Sequence, residues 1–284
     1  MNSGRLRPLM SIVAGVVLAA CTGAPGATVA GPTTALTSAP TAVASGQAVS
    51  LQVLGAASLK SALDKAKAAY ETAYPGTTIT VSTDSSAALE TQIEQGAPAD
   101  VFLSADTTNP QKLVDGGYAS GSPVVFAKNL LTIIVPTGNP AHIVGPIDLA
   151  KEGVRVIAAG PEVPITKYAT QLIKNVAATT SDAARFQAAY AANIVTNAEN
   201  VKAIAAQIEL GQGDAAIVYV TDAKASTKVE TVAVPAAVNV PASYAGVVVK
   251  ASENAAAAQA FLEWFAGPGG QAILAGLGFL PPGS

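Results

Sequence analysis

From position 49 onward, short apolar runs alternate with stretches whose apolar residues fall at helical spacing. "VSLQVLGA" (49–56) reads as a strand, and "SLKSALDKAKAAYETAY" after it as an amphipathic helix that stops at Pro75–Gly76. The β-branched alternation of "TTITVSTD" (77–84) predicts a second strand. "SAALETQIEQG" predicts a short helix closed by Gly96. Compact apolar strands are expected at 100–105, 130–136, 154–160 and in "AAIVY" (215–219). Helices are expected in "ITKYATQLIKNVA" and "ENVKAIAAQIELGQG". A late strand, "AGVVVK", and a late helix, "NAAAAQAFLEWFAG", complete the pattern. Such alternation implies an α/β fold of parallel sheets with helices on both faces. There is no repeat of fixed period.

The first residues follow another pattern. Arg5 and Arg7 make a basic start, and Leu9 to Ala20 is apolar but too short to span a bilayer comfortably. It ends in "LAAC", which resembles a lipobox; residues 1–21 then form a lipoprotein signal peptide and Cys21 is lipidated. An ordinary secretory signal is the alternative. Residues 22–48 carry no charge and are dominated by Thr, Ala, Pro, Gly and Ser, a composition expected of a disordered tether. Cys21 is the only cysteine, so the folded body has no disulfide and no thiol chemistry.

Composition narrows the function. Half of the 284 residues are apolar and only 12% are charged, enough for a sizeable core. Net charge is −3 with no basic run beyond the N-terminus, which argues against a nucleic-acid partner. The sign is also wrong for drawing in an anion by bulk field. The single histidine, His142 in "NPAHIVG", has no acid–base partner nearby in sequence and reads as a surface-loop residue. Metal-ligand clusters, a G-x-S-x-G elbow, a P-loop and G-x-G-x-x-G are all missing from the sequence. Neither a catalytic residue, a cofactor nor a side-chain metal site is expected, and the chain does not read as an enzyme. A lipid-anchored secreted hydrolase, the rival from another class, would have to use His142.

What recurs is a small or hydroxylated residue where a strand hands over to a helix. Ser58 stands so in "GAASLKSAL", Ser85 and Ser86 in "TDSSAALETQI", Pro164 to Thr166 in "EVPITKYA", and Asn197 to Val201 in "TNAENVKAI". First-turn amides have no helical acceptor and lie at the positive end of the helix dipole. Several such ends aimed at one point would hold an anion without any charged side chain. Ordinary N-capping explains each junction taken singly.

"GAASLKSALDKAKAAYE", "SSAALETQIEQGAPADVFLSAD", "GDAAIVYVTDA" and "FLEWFAGPGGQAILAGLGF" together resemble the molybdate-binding proteins of bacterial molybdate ABC importers, in order over about residues 50–280. The resemblance implies two doubly wound α/β lobes joined by a two-strand hinge, the type II periplasmic-binding-protein fold. Lobe 1 would comprise 49–126 plus 244–284, and lobe 2 127–243. It implies that the hydroxyls of Ser58, Ser86 and Tyr219 and the amides of Ile165 and Val201 hold molybdate or tungstate between the lobes, with Ser85 a lesser candidate. Sulfate or another tetrahedral oxyanion is the alternative within the same fold. The side chain of Ile165 should then point out of the pocket, and Asp84 should face away and bond the backbone. The implied partners are a membrane permease and its ATPase. The protein would be an extracytoplasmic monomer held at the cell membrane by lipidated Cys21.

Overall fold

The computed structural model describes residues 48–284. The expected signal peptide with Cys21, and all of the expected tether except Ala48, lie outside the described residues.

The chain begins with β1 (Val49–Ala56), a 3-10 turn over Ala57–Leu59, α1 (Lys60–Ala73), β2 (Thr77–Asp84), α2 (Ser86–Glu94), β3 (Val101–Ser104), α3 (Thr108–Asp115) and β4 (Ala119–Asn129). It continues through β5 (Leu131–Pro136), β6 (Val156–Ala159), α4 (Pro164–Ala177), α5 (Ala183–Ala192), β7 (Ile194–Ala198), α6 (Val201–Glu209), β8 (Ala216–Tyr219), α7 (Val220–Lys224) and β9 (Val229–Val232). It closes with β10 (Ala242–Val249), α8 (Ala255–Ala266) and α9 (Pro268–Leu277).

One sheet has the strand order β2-β1-β3-β10-β4. β1 runs parallel to β2 from Val49↔Thr77 to Ala56↔Asp84, and parallel to β3. Both faces are covered, as the apolar run of β1 requires. Leu51 and Val53 pack with Leu63 and Tyr70 of α1 and Phe261 of α8. On the other face Leu54 and Phe102 pack with Leu89 and Ile93 of α2 and Leu113 of α3. In the second lobe β5 lies between β8 and β9, and β6 pairs with β7. A parallel bridge, Val156↔Ala215, links these two groups.

The expectation of parallel sheets needs correction. It holds for β2-β1-β3 and β6-β7, but β10 is antiparallel to both β3 and β4, and β5 to both β8 and β9. The reason is connectivity. β4 passes into β5 through Leu130 alone, and β10 is entered from the second lobe. Neither strand is reached by a helical crossover within its own sheet, so nothing forces it parallel. The two crossing segments are tied together by one side chain: Asn239 Oδ1 accepts from the Leu131 N–H (3.1 Å) and its Nδ2 donates to Leu131 O (2.8 Å).

Several elements escape the sequence pattern. β4 is a sheet edge with exposed Gly121 and Ser122 followed by Pro123, a residue that edges tolerate. β7 and β9 are short and largely exposed, and α5 buries only Phe186. Without a buried face, none of these shows a clear period.

Candidate anion-binding site

The parallel strands place the site. β1, β2 and β3 end together in the first lobe, and β6, β7 and β8 in the second. Segments from all six carboxyl ends border one cleft of about 220 Å³, where open α/β sheets commonly bind ligands. Ser58, Ser85 and Ser86 come from the first lobe; Ile165, Val201 and Tyr219 come from the second. All the residues singled out from the sequence as ligand candidates therefore border the same space. The rest of the lining is mostly alanine, valine and proline, and among the described residues no aspartate, glutamate, lysine or arginine borders it. Larger hollows lie elsewhere. One of about 1290 Å³ is lined by Ser50, Asp100 and Glu253, and an apolar one of about 800 Å³ lies within the second lobe, with Ile165 on its wall too. Neither collects helix starts from both lobes.

The two serines of the second junction divide the work. Ser85 is the N-cap of α2, its Oγ accepting from the Ala88 N–H at 3.2 Å. That frees Ser86, which is buried and whose Oγ accepts from the Ala105 N–H at 3.0 Å. A hydroxyl that accepts there keeps its own proton to donate. Ser58 Oγ lies 3.1 Å from Tyr244 Oη, and Tyr244 Oη also takes a long contact, 3.5 Å, from Asn129 Nδ2. Either hydroxyl of the Ser58–Tyr244 pair can donate, so Ser58 can turn its proton to the cleft while accepting from Tyr244.

Tyr219 is the odd group. It is 1% exposed, its ring lies between Tyr168 and Tyr244 at centroid distances of 6.3 and 5.6 Å, and its hydroxyl has no hydrogen-bond partner among the described residues. Burial, with the neighbouring Tyr244, Tyr168, Asp222 and Asp106, pushes its pKa well above the usual tyrosine value, so it stays a donor. The amides of Ile165 and Val201 belong to the first turns of α4 and α6 and have no helical acceptor. The Ile165 side chain is buried. Asp84 does not border the cleft. Its Oδ1 accepts from the Ser85 N–H at 2.7 Å, the backbone bond expected of it, and from Asn200 Nδ2 at 3.1 Å.

Sequence reading missed Tyr244, whose only local setting is a strand, and a charge pair behind the site. Asp222, three residues after Tyr219, has a fully buried side chain, and Lys202 Nζ reaches it at 3.1 Å. Burial raises the Asp222 pKa despite the opposing pull of Lys202. The ionised form is thus the one that folding disfavours. Its cost is absent in acid, below the ordinary value of 3.8, and appears as the pH rises through the folded pKa. Asp222→Asn should therefore melt higher than wild type at neutral pH, with the gap closing as the pH falls towards 4 in a series of thermal melts. A variant less stable than wild type at neutral pH would mean that the attraction of Lys202 outweighs desolvation.

Comparison with known proteins adds to this geometry. The family model of bacterial extracellular solute-binding proteins matches residues 51–280. The molybdate-binding protein ModA of Mycobacterium tuberculosis is 34% identical over 82% of this chain and 85% of its own. Among solved structures, the periplasmic molybdate-binding protein of Azotobacter vinelandii superposes with a TM-score of 0.69 at 25% identity, covering 82% of this chain and 99% of that one. The sulfate-binding protein SubI of M. tuberculosis reaches a TM-score of 0.74 over 82% of this chain and 87% of its own, but at 20% identity it speaks for the fold alone.

Proposed function

Since the chain belongs to the bacterial extracellular solute-binding proteins, and among them to the molybdate-binding branch, we propose that it captures molybdate between its lobes and delivers it to an ABC importer. The observation that carries this reading is the buried hydroxyl of Tyr219, unpartnered among the described residues, at the edge of a cleft that those residues line with hydroxyls and helix starts and with no charged side chain. An orphaned buried donor costs roughly 1–3 kcal/mol, and an oxyanion oxygen would satisfy it. In this proposal Ser58, Ser86 and Tyr219 donate hydroxyl hydrogens, and Ile165 and Val201 donate amides. Tungstate, of like charge and shape, is expected to bind as well.

Neutral donors also set the selectivity. A cleft with many donors and few free acceptors leaves the proton of a hydrogen phosphate without a partner, a mismatch of about 1–3 kcal/mol. They reconcile a net charge of −3 with an anionic guest, because dipoles at contact distance outweigh a diffuse charge screened over roughly 8–10 Å. The proposal extends to the anchor: lipidation of Cys21 would hold a monomeric receptor at the outer face of the membrane beside its permease. The hinge would lie where the chain crosses between lobe 1 (49–126 plus 244–284) and lobe 2 (127–243).

Calorimetric titration with molybdate, tungstate, sulfate and phosphate tests the reading. Molybdate and tungstate should saturate one site per chain, with hydrogen phosphate at least about tenfold weaker, the equivalent of one mismatched polar group, and sulfate, which carries no proton, disfavoured only by its smaller size. Sulfate binding as tight as molybdate would reassign the ligand, and no oxyanion binding at all would refute the function.

A further inference from the structure

Asn200 makes two bonds that lie on opposite sides of the cleft. Its Oδ1 accepts from the Ala203 N–H at 3.0 Å and caps α6, the helix whose first amide is that of Val201. Its Nδ2 donates to Asp84 Oδ1 at 3.1 Å, in the other lobe. The same Asp84 oxygen accepts from the Ser85 N–H at 2.7 Å, at the turn that leads into Ser86. One side chain thus joins an anion-facing helix start of the second lobe to the serine turn of the first. It also occupies the carboxylate oxygen nearest that turn with donors. A second bond crosses between the lobes from α4, Lys167 Nζ to Thr108 Oγ1 at 3.0 Å, but both partners there are largely exposed. The Asp84–Asn200 pair is half-buried and carries a full negative charge, the stronger kind of hydrogen bond.

We propose that Asn200 is a positioning residue for capture: through Asp84 it latches the closed lobes and keeps that carboxylate turned out of the oxyanion cleft. The proposal rests on the anion-binding reading above. Ligand closes a two-state hinge only through better contacts in the closed form. A bond formed directly between lobes adds to that closed state whatever the ligand, so it should slow release and leave encounter almost untouched.

Substitutions separate the latch from the cap. Aspartate and serine cap a helix about as well as asparagine. Asn200→Ser keeps the cap and loses the donor; Asn200→Asp keeps the cap and sets two carboxylates face to face. The double variant Asp84→Asn/Asn200→Asp reverses the polarity of the bond and restores it. Stopped-flow dissociation of molybdate should be about three- to tenfold faster in Asn200→Ser, as for a partly exposed hydrogen bond, and faster still in Asn200→Asp. The double variant should release molybdate more slowly than Asn200→Asp, and the association rate of Asn200→Ser should stay close to that of wild type. A merely structural cap would give wild-type rates in Asn200→Ser, and that result would overturn the latch; because Asn200 borders the cleft, the charge of Asn200→Asp also repels the anion, so the double variant is compared with Asn200→Asp, and equal release from the two would overturn the latch as well. Should wild type prefer another oxyanion, the same ratios measured with that ion decide the matter, so the ligand assignment and the latch fail separately. Should no oxyanion bind, small-angle scattering decides: Asn200→Asp must have a larger radius of gyration than wild type, and equal radii would overturn the proposal.

Discussion

Tyr219→Phe should move stability and affinity in opposite directions. The hydroxyl is buried without a partner among the described residues, so deleting it should raise the melting temperature of the ligand-free protein, by the equivalent of about 1 kcal/mol. The ring contacts with Tyr168 and Tyr244 survive the change. Molybdate affinity should fall by about tenfold or more, because the lost bond is one to a charged guest and such bonds are worth roughly 1.5–3 kcal/mol. Stabilisation by saturating ligand should shrink accordingly. Thermal melts with and without molybdate, alongside calorimetry, read both quantities. Unchanged affinity would reduce Tyr219 to a packing residue. A less stable ligand-free variant would mean that its hydroxyl is satisfied in solution.

Val201→Pro isolates a main-chain donor, which side-chain deletions never do. Val201 is the first residue of α6, where proline is well accommodated because the amide has no helical acceptor. The residue before it, Asn200, has φ −157° and ψ 173°, the extended conformation that a following proline demands. The substitution therefore removes one amide hydrogen from the cleft and little else. Affinity for molybdate should drop about tenfold to a hundredfold, while stability changes by no more than about 1.5 kcal/mol. Val201→Ala is the control: it trims the side chain, keeps the amide, and should bind like wild type. Equal affinities for the two variants would remove the Val201 amide from the site.

These two variants test different components of one arrangement. A hydroxyl and an amide contribute by the same means, a hydrogen atom fixed in place before the anion arrives. Fixed donors need no reorganisation on binding, which is the advantage of helix starts over long flexible cations. Lys202, one residue beyond Val201 in α6, reaches the buried Asp222, three residues beyond Tyr219, so the ion pair links the two elements behind the site.

The local parts of this protein were fixed by its sequence. β1, α1, β2 and α2 appear where alternation, helical spacing and the stops at Pro75–Gly76 and Gly96 put them, because neighbours in the chain decide such propensities. Ser58, Ser86, Ile165, Val201 and Tyr219 could be named as candidates because each stands at a strand end or a helix start, a place that residue type and flanking pattern reveal, and because their motifs match a family. The convergence of those ends was a tertiary matter. It depends on two sets of three parallel strands pointing their carboxyl ends at one cleft, and on β10 and β5 running against the expected direction because the chain crosses between lobes without a helix. Long-range pairs were likewise invisible. Ser58 meets Tyr244 across 186 positions, and Asn200 meets Asp84 across 116. No local pattern encodes such distances, since what brings the partners together is the burial of whole faces of sheet and helix. The same holds for charge: Asp222 reads in sequence as one more acidic residue, and only the packing around it removes its water and turns it into a buried group paired with Lys202.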